Sequence, residues 1–482
     1  MIRRVITTAL MAGALAPLAT TLPGPVPCCE LRYRVRPVPE SRAIEVALDL
    51  HGFEGDSLIL ARASDRPLIG LLNEDPEVAG VRRGRWSLVD GAPRWSFPRP
   101  PGGWDDRVRI RYRLGVTAER PFNAWSVGMA SDLLYAPAAA LFLVPELPEQ
   151  RARHAPIRVR WSLPADWTVM AGWESDAFHG ARTLVKTNVL AGEIVEERAS
   201  VCGLEVALGV HGEWDFAPDT LASDLASLAC AARLRLGGSK VERYMVTLVR
   251  ARFPVTSGNR NGPRSIGFVH RSPDGSPPPT RLLAHEIVHL WQRFDAPTWF
   301  QEGVNDYMAV RLAREAGLLD EEAYLERFAT IDSIYRAHPK SGEWTFAQEA
   351  REAPPFGSSD TYLAYRKGAI VGLALDRELR LRTGGRADLA ALWREMNARA
   401  AWGKVAWTDA EISARAASLA GGGFGHFFDL YVEGTTPLPP SKALLANLPP
   451  PADPVPRGGF ATVAPLVRIA LALAVSHAGT PR

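Results

Sequence analysis

Long apolar runs are scarce in this 482-residue chain. Residues 5–19 and 460–475 are the longest candidates. Both fall short of the roughly 20 residues a bilayer span needs, and Pro465 and Arg468 interrupt the second. No stable membrane insertion is expected beyond a signal segment. An excess of one charge is also missing: 56 basic side chains face 53 acidic ones, a formal net charge of +3. The arginines are scattered along strand-like stretches, which excludes a nucleic-acid groove and predicts a solvated sheet face instead. There are only four cysteines, Cys28, Cys29, Cys202 and Cys230, and their spacing excludes a cysteine metal knuckle. Their pairing is left open. No internal repeat is visible.

What remains is an ordinary globular composition with room for two or three domains. Arg3 and Arg4 precede the short apolar run at the N-terminus, which reads as a secretory signal over residues 1–22. An uncleaved or lipid anchor is the lesser alternative. The expected location is therefore exported, periplasmic or secreted. From residue 28 to about 205 the pattern is β, with Ile44, Val46, Leu48 and Leu50 alternating against polar residues. Val108, Ile110, Tyr112 and Leu114 alternate likewise, and Ile157, Val159 and Trp161 form a third run. An antiparallel β-sandwich or saddle is expected. From 206 to 436 helical periodicity dominates, beginning with Leu221, Leu225, Leu228, Ala229 and Ala232. The stretch 256–280 reads as loop, and 339–359 as another. A proline-rich linker and tail occupy 437–482.

The chemistry concentrates at His285, Glu286 and His289, an H-E-x-x-H pattern. Residues four apart share a helix face, so both imidazoles can meet one zinc ion while Glu286 serves as general base. Ala296 and Pro297 are expected to end that helix. Thr298 and Gln301 then form a capping box that starts a second helix. Glu302 on it would complete a His₂Glu set with an open fourth position. Asp306, one turn further on, is expected to hydrogen-bond a free ring nitrogen of His285 or His289.

Three segments resemble the glycyl aminopeptidase family of gluzincin metallopeptidases. Trp299, Glu302 and Gly303 match its W-x-x-E-G. Tyr365, Lys367, Gly368, Val371, Leu375 and Asp376 match Y-x-K-G-x-x-V-x-x-x-L-D, and the segment from Phe427 to Gly434 matches F-F-x-x-Y-V-x-G. The resemblance implies a multidomain β then α+β chain: an N-terminal β domain followed by a thermolysin-like, mainly helical catalytic domain. It also implies that Tyr365 stabilises the oxyanion, a task a phenol O–H can perform. Two departures stand out. The family's amine-gripping G-G-L-E-H has its nearest counterpart in the stretch from Ile266 to His270. Val269 replaces the Glu there, so Val269 and His270 are expected to form an altered substrate-binding wall. The C-terminal PDZ domain is absent from the pattern.

The reading is thus an exported zinc peptidase with one Zn²⁺ per chain, a peptide or protein substrate and no nucleic-acid partner. It is aminopeptidase-related with altered N-terminus recognition. An endopeptidase of gluzincin type, and a non-catalytic metal-stabilised binding protein, are the alternatives.

Overall fold

The computed structural model describes residues 29–446 and 448, apart from 63–70, 74, 82–83, 90–91, 174, 238–240, 353–362 and 401–404. The expected signal segment, Cys28 and the apolar C-terminal tail lie outside the described residues.

Period-two alternation builds the first unit. In β1 (Glu30–Val38), Leu31, Tyr33 and Val35 are buried while Arg32, Arg34 and Arg36 face out. Strand β2 (Ala43–His51) pairs antiparallel with β1, Leu31 opposite Leu50, and with β3 (Arg107–Val116), Leu48 opposite Ile110. Strand β4 (Pro156–Trp161) joins β1 in parallel, Leu31 opposite Ile157, so the sheet is not wholly antiparallel. A parallel neighbour needs a long crossover, and residues 117–155 supply it. The arginines form the solvated face that their scatter predicts. There Asp49 accepts from Arg34 at 3.1 Å, Arg107 at 2.5 Å and Arg109 at 3.4 Å. A second sheet, with Ser57–Arg62 and Ala92–Pro98 at its centre, brings Leu58, Leu60, Trp95 and Phe97 into one core with Leu48, Leu50 and Ile110.

The second unit is a five-stranded sheet covered by helices. Its order is β5 (Val195–Val201), β6 (Leu204–His211), β7 (Arg243–Arg250), β9 (Ser265–Arg271) and, at the edge, β8 (Val255–Arg260). Two expectations are corrected here. The boundary at 205/206 falls too late, because β5 pairs with β6 in this sheet. The supposed loop at 256–280 contains the β8–β9 hairpin, with Gly258 opposite Phe268. Thr256, Ser257, Gly258 and Asn259 are poor strand material by composition, but pairing with the apolar β9 imposes the extended form. Helix α1 (Pro218–Leu236) links the parallel strands β6 and β7 and buries the predicted leucine–alanine stripe. A disulfide ties Cys230 of α1 to Cys202 in the β5–β6 turn.

The rest of the unit is helical: α2 (Thr280–Leu290), α3 (Asn305–Glu315), α4 (Glu321–Ala337), α5 (Leu363–Thr383), α6 (Leu389–Arg399) and α7 (Asp409–Ala420). Within 339–359, expected to be loop, the segment Phe346–Glu352 is helical. The residues just past 437 are not linker: in the short helix Ser441–Leu445, the Ser441 N–H donates to the buried Asp332 at 2.9 Å. The two units meet through buried amides. Asn188 Nδ2 donates to Asn259 Oδ1 at 2.9 Å, and the Asn188 N–H to Ser265 Oγ at 3.0 Å. Among the described residues no helix is long and apolar enough to cross a membrane.

Candidate metal centre and active site

Helix α2 follows three prolines, which cannot extend it backwards, and presents His285 and His289 on one face. It ends at Leu290, not at Ala296 and Pro297. The Trp291 N–H closes back on Val288, and an extended link follows in which the Asp295 N–H donates to the Val405 carbonyl at 3.0 Å. The expected capping box does not form. Thr298 is already helical and makes no side-chain cap, and the N–H groups of Phe300 and Gln301 bond to the Pro297 carbonyl instead. The segment Trp299–Val304 is a turn of the wider π-helix that runs directly into α3. Such turns are rare and cluster at functional sites.

Glu302 lies in that π turn and meets both histidines. His285 Nε2 and His289 Nε2 are 3.0 Å apart, and Glu302 Oε2 is 3.2 Å from the first and 3.4 Å from the second. The other ring nitrogens settle the tautomers. His285 Nδ1–H donates to Asp306 Oδ1 at 2.7 Å, since a carboxylate can only accept. His289 Nδ1–H donates to Gln292 Oε1 at 3.1 Å, and the Gln292 amide is oriented by its own donation to the Phe294 carbonyl. Both Nε2 lone pairs therefore converge with a carboxylate on one point. A tetrahedral zinc about 2.0–2.2 Å from each donor would hold the donors about 3.3–3.5 Å apart, close to what is observed. The donor set fits the ion.

The electrostatics agree. Burial opposes an imidazolium at His285, yet Asp306 and Glu302 outweigh it and push the ring up to about 10. The cluster thus demands a positive charge, either a proton or a metal. Burial also works against ionised Glu302, but the hydrogen bonds of His285 and His289 hold it well below the usual carboxylate range. Asp306, fully buried, is kept ionised by Arg281, whose Nη1 donates to both its oxygens at 2.7 and 2.9 Å, and by His285. Arg366 stands 3.5 Å away. Replacing Asp306 by Asn would remove the acceptor charge that orders His285. Zinc affinity is expected to fall about 10–100-fold, measured by titration against a competing chelator. Unchanged affinity would mean that Asp306 merely packs.

Glu286 lies near this donor set and against the sheet edge. A Cβ built on Gly258 of β8 would lie 2.7 Å from both Glu286 Cγ and Oε1, so only glycine there leaves the carboxylate its place. Burial raises the Glu286 carboxyl, against the pull of His289 and His285. Tyr365, in the first turn of α5, stacks its ring on His285 with centroids 6.2 Å apart and hydrogen-bonds Glu302.

Tyr365 is brought there by two glycines. A Cβ on Gly303 would lie 2.3 Å from the Ala364 carbonyl oxygen, and one on Gly368 would lie 2.5 Å from that of Trp299. The π turn and α5 therefore touch backbone to backbone, which explains the glycines following Glu302 and Lys367. Lys367 is buried and donates to the Gly434 carbonyl at 2.9 Å. That bond links the second family-like motif to the third. Glu349 accepts from the N–H groups of Leu363 and Ala364, capping α5 at its start.

The expected substrate wall is corrected. Val269 is wholly buried among Ala124, Tyr135 and Leu190 at the junction of the two units, where no substrate reaches it. His270 stacks on Trp214 and bonds Thr256 Oγ1 at 2.8 Å and the Ser276 carbonyl at 3.1 Å, a packing role. The strand beside Glu286 is β8, one position outward. Arg260 of β8 donates to the carbonyls of His289 and Gln292 at 2.7 and 3.1 Å, fastening the end of α2. Arg260, Gln292, Gly258 and Arg281 were missed by the sequence reading. Only Arg281, four residues before His285, carries a positional signal.

No family model matches the chain, and no curated protein matches its sequence. Solved structures do match. The architecture is similar to an aminopeptidase N family protein from Idiomarina loihiensis, with a TM-score of 0.69 and 17% identity over 85% of this chain and 77% of that one. It is also similar to an M1 zinc metallopeptidase from Deinococcus radiodurans, with a TM-score of 0.53 and 18% identity over 88% of this chain and 96% of that one. A mutant of the latter bound to a Tyr-Ser-Ala substrate aligns at a TM-score of 0.53 and 16% identity, over 88% and 96% of the two chains. The fold is thus shared with these proteins, a β unit followed by a mainly helical unit.

Proposed function

We propose that the chain is an exported zinc-dependent peptidase, with His285, His289 and Glu302 holding one Zn²⁺. The observation that carries this reading is the convergence of two imidazole lone pairs and a carboxylate beside an uncommitted Glu286. Zinc, when bound, supplies a Lewis acid for the scissile carbonyl and an acidified water. Glu286 accepts the proton of the attacking water at its carboxylate and returns it to the leaving amine. Its burial supports this role, because a raised carboxyl can hold a proton between the two steps. Tyr365 donates its O–H to the developing oxyanion. Burial and the carboxylate of Glu302 push that phenol up, so it remains a donor. A purely structural metal site would have no use for Glu286.

The neighbour named as an aminopeptidase N family protein favours an aminopeptidase-related enzyme. Strand β8 beside Glu286 carries no acidic residue, which supports altered recognition of a substrate N-terminus. Free and N-acetylated forms of one peptide are expected to show comparable kcat/KM, and a strong preference for the free amine would overturn this. Export is supported by the Cys202–Cys230 disulfide, a bond that persists in oxidising compartments.

Elemental analysis of protein purified without added metal is expected to give one zinc per chain. Hydrolysis of a mixed peptide library should stop on chelation and return with zinc. Cleavage that survives complete removal of zinc would sink the proposal.

A further inference from the structure

The first turn of α5 carries Tyr365, and a helix begins with N–H groups that no carbonyl of its own can accept. Such ends fray readily, so a side chain borne there is held only as well as those donors are. Here the acceptor comes from another element. Glu349, in the short helix Phe346–Glu352, is buried, and its carboxylate meets the two residues directly before Tyr365. Its Oε1 accepts the Leu363 N–H, and its Oε2 accepts the Ala364 N–H at 2.7 Å. A buried carboxylate is costly unless it is hydrogen-bonded, so these bonds fasten the short helix to α5 as well.

The same turn of the short helix reaches the other side of the site. Phe346, three residues before Glu349 and on the same face, stacks on Trp299 with ring centroids 5.7 Å apart. Trp299 opens the π turn that carries Glu302. Lys367 of α5 places its Nζ 4.7 Å from the centre of the Phe346 ring. One helical turn thus grips both the segment that bears Glu302 and the helix start that bears Tyr365. Tyr365 in turn bonds Glu302 and stacks on His285, so a slip of the α5 start would carry the phenol away from the metal ligands. We propose that Glu349 is a positioning residue for the hydrolysis: by capping α5 it holds the Tyr365 O–H where the oxyanion forms. It acts through Tyr365 alone. This rests on the peptidase reading, in which Tyr365 donates to the oxyanion.

The test is a double-mutant cycle read in kcat and KM on one peptide, with zinc affinity measured for every variant. Tyr365→Phe is expected to lose about 10²–10³-fold in kcat, as removal of one oxyanion donor does. Glu349→Ala is expected to lose about tenfold or more, since a misplacement of about 1 Å can cost about 10²-fold. Its KM and zinc affinity should stay as in the wild type. In the Tyr365→Phe background the same substitution is expected to change kcat less than about twofold. Glu349→Gln, which keeps one acceptor oxygen, should fall between and replaces Glu349→Ala in the cycle if that variant does not fold. A Glu349 effect that persists at full size without the Tyr365 hydroxyl would overturn the proposal. So would zinc loss in step with activity, which a general packing role would produce, or no loss at all. A second readout does not need turnover. In protein labelled with 3-fluorotyrosine, the Tyr365 fluorine resonance is assigned by its absence in Tyr365→Phe. Glu349→Ala is expected to shift it toward the value of free fluorotyrosine, and an unmoved resonance would overturn the proposal. Failure of the zinc-loaded wild type to hydrolyse any peptide would instead strike the peptidase reading, and the resonance would still decide whether Glu349 holds Tyr365.

Discussion

Glu286→Gln is expected to lose about 10²–10⁴-fold in turnover while keeping its zinc, and Glu302→Ala to lose the zinc itself. The two carboxylates lie sixteen residues apart on adjoining helical segments and both are largely buried, yet their surroundings separate their tasks. Glu302 is engaged by His285 and His289 and is held ionised. Glu286 rests against the glycine of the edge strand, and burial raises its carboxyl. Glutamine is nearly isosteric, so it fits the same space beside Gly258 and leaves both imidazoles in position. It cannot take up a proton. At Glu302, by contrast, removal of the carboxylate leaves only two donors. The measurement is zinc content and kcat for both variants side by side. Equal metal loss in the two would show that Glu286 is a ligand and that the assignment is inverted.

The helix-borne half of this site was legible in the sequence, and the strand-borne half was not. Helical spacing is short-range information. His285 and His289 at four residues, and Glu302 and Asp306 at four residues, state which side chains share a face before any tertiary contact is known. Asp306 and Glu302 do reach the same imidazole, one at Nδ1 and the other at Nε2. The capping box from Thr298 to Gln301 failed because Pro297 already supplies the carbonyl that starts the helix. Strand β8 was read as loop because its Ser, Gly and Asn content reflects what it must leave room for, not an intrinsic preference for extended backbone. Val269 was misplaced for a related reason. Strand order decides which strand is outermost, and that order is set by non-local pairing. The arginines that meet at Asp306, Arg281 and Arg366, come from α2 and α5, so no linear spacing announces their meeting. Nor could the pairing of Cys202 with Cys230 be read before α1 was docked on its sheet.

Gly303→Ala is expected to destabilise the protein by about 1–3 kcal/mol or more, and to weaken zinc binding and turnover together. Two effects compete at this position. In a helix interior alanine is favoured over glycine by about 0.5–1 kcal/mol, so a free site would gain from the change. Here the new methyl would lie 2.3 Å from the Ala364 carbonyl oxygen and 2.5 Å from the Gly368 Cα. Both are backbone atoms of α5 and cannot rotate aside. The π turn must move away from α5, or α5 must move from it, and either motion separates Glu302 from Tyr365. Steric cost therefore outweighs the gain in helix propensity. Gly368→Ala should behave alike, since its Cβ would meet the Trp299 carbonyl at 2.5 Å. Gly342→Ala is the control. Nothing lies within 4 Å of its added carbon, and a shift within about ±0.5 kcal/mol is expected. Thermal unfolding of the three variants with zinc present, and zinc titration of each, make the comparison. A Gly303→Ala protein as stable and as zinc-avid as the wild type would show that the two helices have slack between them. The glycines would then have no part in bringing Tyr365 to the site.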